Sequence, residues 1–148
     1  MTWYKFYIVK MDNKKYVKPN DGRILVKFGI THHMDVMKRF NPSVNDGYVK
    51  NYEDWDIRVM YSQVFYSKEE ALAVETHMKD IVFPPTTHKV WLEDYLQCES
   101  RDEYYNNSGV TEFRLLTQME LSSTINTMKL TQSQKQQEAK GYKRQSAL

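Results

Sequence analysis

One cysteine, Cys98, is all that this 148-residue chain carries, so no internal disulfide and no zinc-finger spacing exist in it. That scarcity fits a reducing compartment. No run of about eighteen apolar residues occurs anywhere, and the opening Met1-Thr2-Trp3-Tyr4-Lys5 lacks the apolar stretch of a secretion signal. No internal repeat is visible either. These absences together predict an unexported, cytoplasmic protein with no membrane partner. What is present is aromatic: 14% of the residues, eleven of them tyrosines, far more than a disordered segment carries. The length suits one compact domain with room for an appendage.

The net charge of +2 conceals a segregation. Residues 1–50 hold ten Lys/Arg against four Asp/Glu, residues 51–128 six against fourteen, and residues 129–148 five against one. Basic ends flank an acidic middle, an arrangement suited to phosphates at one place and a cation at another.

Trp3 to Lys10 reads as a strand rich in aromatic and β-branched residues, followed by a polar stretch and the turn Pro19-Asn20-Asp21-Gly22. A second strand runs from Arg23 to Thr31 and pairs antiparallel with the first. Met34 to Phe40 is a short helix with Asp35 in its first turn, closed by Asn41-Pro42. Trp55 to Tyr66 alternates as a third strand and leads into a helix over Ser67 to Val82, opened by the Ser67/Glu70 capping box and ended by Pro84-Pro85. Val90–Leu96 and Val110–Thr117 are short extended segments, and from Gln118 onward the pattern is helical. The expected class is α+β: a small three-stranded antiparallel sheet flanked by helices, with a C-terminal helical basic tail.

Within the Ser67–Val82 helix, Ala71, Glu75, Met78 and Val82 share one face. Glu75 thus points inward. An ionised carboxylate buried alone costs several kcal/mol, roughly, so this one is expected to meet a cation, hold a proton or bind a metal. His32 and His33, being adjacent, point apart in a strand, which leaves no joint metal site.

Phe6-Tyr7-Ile8-Val9, Lys27-Phe28-Gly29-Ile30-Thr31, Arg39 on the next helix and Glu75 on the later one form an ordered set that resembles the GIY-YIG nuclease module. The closest similarity is to its phage and bacterial branch, whose second signature reads Lys-Ile-Gly-Ile-Thr. The resemblance spans about residues 3–96 and implies hydrolysis of a DNA phosphodiester with one Mg²⁺ or Mn²⁺. It implies Glu75 as metal ligand, Arg39 facing the scissile phosphate, Tyr7 beside the attacking water, Lys27 where many members have a second tyrosine, and Gly29 admitting close approach of the substrate. The implied layout is a nuclease domain over 1–97, an accessory extension packed on it over 98–128, and a basic tail over 129–148.

The chain also departs from that family. Lys5 replaces the usual glycine of the first signature, Lys27 replaces a tyrosine, the spacing from Gly29 to Arg39 is about two residues longer than usual, and Thr87-His88 stand where an asparagine is common. Lys38 rivals Arg39 for the phosphate-facing place. Lys140, Lys143 and Arg144 are further candidate DNA contacts, with Tyr142 able to stack on a base. The rival readings are a non-cleaving nucleic-acid-binding or partner-binding protein of the same fold, and a structural or host-interaction protein with an acidic middle surface that needs neither metal nor DNA; Glu75 read on its own is also a buried carboxylate paired with Arg39 or Lys27.

Overall fold

The computed structural model describes residues 3–13, 22–41, 55–84 and 113–146. Within residues 1–116, one of two compact units, a four-stranded antiparallel sheet forms. Its strands are β1 (Tyr4–Asn13), β2 (Ile24–Thr31), β3 (Trp55–Phe65) and β4 (Phe113–Leu116), in the order β3-β1-β2-β4. The α+β class is thus as expected, but the sheet has four strands, not three. The added strand pairs Leu25 with Leu115 and Lys27 with Phe113, and it covers what would otherwise be the open edge of an almost wholly apolar β2.

A 3-10 helix, Val36–Phe40, follows β2, with Asp35 as its N-cap and not inside its first turn. Asp35 Oδ1 accepts the Met37 N–H at 3.0 Å, and the short 3-10 form follows from i→i−3 bonds such as Lys38 N–H to Asp35 O at 3.1 Å. After β3 comes α1 (Lys68–Thr76), where Ser67 Oγ accepts the Glu70 N–H at 3.4 Å as the capping box predicts. This helix does not continue as a regular α-helix to Val82. His77–Val82 is a π segment in which the Phe83 N–H reaches the Met78 carbonyl at 2.9 Å. One residue is thereby added to the turn, and the buried stripe Ala71, Glu75, Met78 ends on Phe83 instead of Val82.

Strand pleat sorts the core into two layers. Tyr7, Val9, Met11, Leu25, Phe113 and Leu115 form the first, closed by Val36 and Phe40 of the 3-10 helix. The second holds Phe6, Ile8, Val26 and Phe28, over which α1 lies, with Phe28 stacked on Phe6 and on Phe83. β3 carries one extra residue opposite the Ile8–Val9 step, a bulge that shifts its register.

The second unit, residues 117–148, is built on α2 (Gln118–Ser146). Its start is a reciprocal capping box: Glu120 N–H to Thr117 Oγ1 at 3.0 Å and Thr117 N–H to Glu120 Oε1 at 2.9 Å. The expected segments at 90–96 and 98–109 lie outside the described residues.

Candidate functional site

β1 and β2 pair Lys5 with Thr31, Tyr7 with Gly29 and Val9 with Lys27. Opposed residues share a face, so Tyr7, Lys27 and Gly29 belong to the first layer. The 3-10 helix bearing Lys38 and Arg39 lies over that same face, since its Phe40 meets Tyr7 edge-on at 5.9 Å. Phe28 and Arg114, one residue out of phase, belong to the other face. Phe28 stacks on Phe83 at 5.9 Å, and the Arg114 guanidinium donates to the Phe83 and Lys79 carbonyls at 3.0 and 3.2 Å, which fixes α1 and its π extension there. Glu75, on α1, therefore lies across the sheet from Tyr7 and Lys27. The expected convergence on one surface is not produced, because a two-residue strand period sends neighbours to opposite sides.

Each residue's surroundings sharpen this. Glu75 is buried, at 7% exposure, as its place in the helical stripe predicts. Its Oε1 pairs with Lys79 Nζ at 3.0 Å, one turn further along. Pairing with Arg39 or Lys27 is the alternative to a metal that the sequence offers; the ion pair seen at this oxygen comes from the i,i+4 lysine. An ammonium thus engages that oxygen, and among the described residues no group of three His, Cys, Asp or Glu gathers.

Tyr7 and Lys27 have no solvent exposure. Tyr7 is a member of the first core layer, and Lys27 is flanked in the ladder by Val9 and Phe113. Gly29 faces Tyr7 itself: a Cβ built there would come within 2.5 Å of Tyr7 Cζ and 3.1 Å of Cε1. The space expected to admit a substrate is filled by the phenol ring. Lys38 is exposed and Arg39 half-buried. Lys140, Lys143 and Arg144 fall on the helical backbone of α2, with side chains outside the described set, and Thr87 and His88 lie outside it altogether.

His32 and His33 do not point apart. The strand ends at Thr31, whose Oγ1 accepts the His33 N–H at 3.1 Å, and in the bend that follows the two rings stack with centroids 4.8 Å apart. Lys5 reaches across to the Met34 carbonyl at 2.5 Å, which places the departure from the glycine signature in a structural strut.

Sequence reasoning missed Arg114. Its burial, at 2% exposure, is made tolerable by three carbonyl acceptors, the third being Phe113 O at 2.8 Å. The signal was an arginine among apolar residues in Phe113-Arg114-Leu115-Leu116. Family models, curated proteins and solved structures return no match to this chain. No helix among the described residues is long and apolar enough to cross a membrane.

Proposed function

We propose that this chain is a nucleic-acid-binding protein of GIY-YIG-like organisation that does not cleave through a centre built from Tyr7, Lys27, Arg39 and Glu75. One observation carries the reading: the sheet stands between Glu75 and the two sealed residues Tyr7 and Lys27. A hydrolytic centre needs metal, water and phosphate within a few ångströms of one another, and residues on opposite faces of a filled sheet do not provide that. Binding is supported by the order of elements that resembles the nuclease module, by the basic first third of the chain, and by Lys38 and Arg39 on a short helix with Lys38 exposed.

The rival is metal-dependent cleavage. It keeps one observation in its favour, a buried carboxylate on the helix after β3, where the resemblance requires it. Supercoiled plasmid incubated with the protein, with and without Mg²⁺ or Mn²⁺, separates the two readings. The expected result is a mobility shift at low salt with no nicking in either metal. Metal-dependent nicking abolished in both Glu75→Ala and Arg39→Ala would overturn the proposal in favour of the nuclease.

A further inference from the structure

Ladder register brings three chain segments to one end of the sheet. Lys5 is opposed by Thr31 on one side and Val64 on the other, and Tyr4 by Phe65, so β1 begins where β2 and β3 finish. Trp3, Tyr4 and Lys5, then Thr31 to Met34, then Val64 to Lys68 therefore share a rim. This rim is rich in rings and in apolar surface that the core does not use. Met34 is 70% and Tyr66 69% exposed, Val64 is exposed as well, and the stacked His32/His33 pair sits beside Met34. Exposed apolar groups scattered singly need no explanation, but several drawn together at one end of a fold do.

Two further properties define what fits. The bend bearing the histidines is held in place by the Lys5 strut to Met34 O and by the Thr31 cap, so its rings are presented by fixed backbone. β2 and β3 flank β1, which sets the His32 and Tyr66 backbones about 10 Å apart, two strand spacings. Separate flat rings at such a spacing, with Lys38 and Lys68 exposed nearby, suit a chain that carries its own flat rings on a charged backbone. Duplex DNA keeps its bases stacked inward and presents only phosphates to such a surface.

Resting on the nucleic-acid-binding reading above, the geometry points to this rim as a single-strand binding surface: His32, His33 and Tyr66 stack on bases while Lys38 and Lys68 take phosphates. Asp35 is occupied at the cap of the 3-10 helix, whereas Glu69 and Glu70 follow Lys68 in the first turn of α1 and dilute the local positive field. Stacking therefore contributes more of the affinity than charge at this rim.

Fluorescence anisotropy with a labelled oligo-dT and a duplex of equal length tests the assignment. Binding should favour the single strand and fall about tenfold or more in Tyr66→Ala and in His32→Ala, the loss expected for one base stack. Tyr66→Phe should bind as the unaltered protein does, because the ring and not the hydroxyl makes the contact. Ile81→Ala, which removes an equally exposed apolar side chain from the π segment, should change nothing. All three positions are at the surface, so thermal melting of the four variants should be unaltered. Duplex bound as tightly as single strand, or rim variants that match the unaltered protein, would overturn the rim while leaving nucleic-acid binding in place. Absence of binding to both probes at low salt would remove the parent reading as well.

Discussion

A hydrogen atom is all that the Tyr7 ring leaves room for at Gly29. The residue carries no unusual backbone angle, so its glycine is required by a neighbour and not by a turn. Gly29→Ala should lower stability by about 1–3 kcal/mol, since neither β1 nor β2 can retreat within a paired ladder. Urea midpoints read this directly. The double variant with Tyr7→Leu should lose less than the sum of the two single changes, and simple additivity would show that the ring is not the obstacle. Tyr61 offers a second residue-scale expectation. Burial pushes its phenol above the ordinary value of 10.0, while its hydroxyl donates to Gln63 Oε1 at 2.9 Å. A pKa raised on folding means that the neutral form is favoured in the native state. The contribution is complete below the unfolded value and is lost as pH rises through the folded one. Denaturation midpoints taken across pH 10 and above should fall more steeply for the unaltered protein than for Tyr61→Phe. Equal slopes would sink that assignment.

Elements were more legible than their contacts. Three strands, the Ser67 cap and the inward Glu75 all follow from local rules, because hydrophobic period and capping chemistry act within a few residues. The Thr117/Glu120 box was equally present in the letters and went unread. What the letters do not carry is the side of the sheet on which α1 comes down, since that depends on the path of the chain and not on any local pattern. Nor do they show the π insertion, which moves burial from Val82 to Phe83. Arg114 is the cation that closes that irregular end. Its guanidinium accommodates carbonyls at the C-terminal end of the segment, where the helix dipole is negative, and ties them to β4. Arg114→Met should cost about 3 kcal/mol by removing three hydrogen bonds of a buried guanidinium. Arg114→Lys should recover only part, because one ammonium cannot reproduce the planar fork. Amide exchange should accelerate first at Lys79–Phe83; uniform acceleration over the whole sheet would contradict this local role.

At the scale of the molecule, the two compact units differ in what supports them. The sheet unit has two buried layers. In α2 the buried positions are Leu121 and Ile125, with Met128 and Gln132 half-buried, and the sequence beyond supplies glutamine, lysine and little that is apolar. A helix of that composition is marginal on propensity alone. Removing residues 133–148 should therefore leave the melting midpoint of the remainder unchanged, and a clear fall would show that the tail belongs to the cooperative unit. The same truncation tests where phosphate is met, because it takes away Lys135, Lys140, Lys143 and Arg144. Each phosphate contact on a single strand adds about 0.7 to the slope of log affinity against log salt. If these tail cations meet phosphate, truncation should flatten that slope by up to about 3. An unchanged slope would show that the tail cations meet no phosphate.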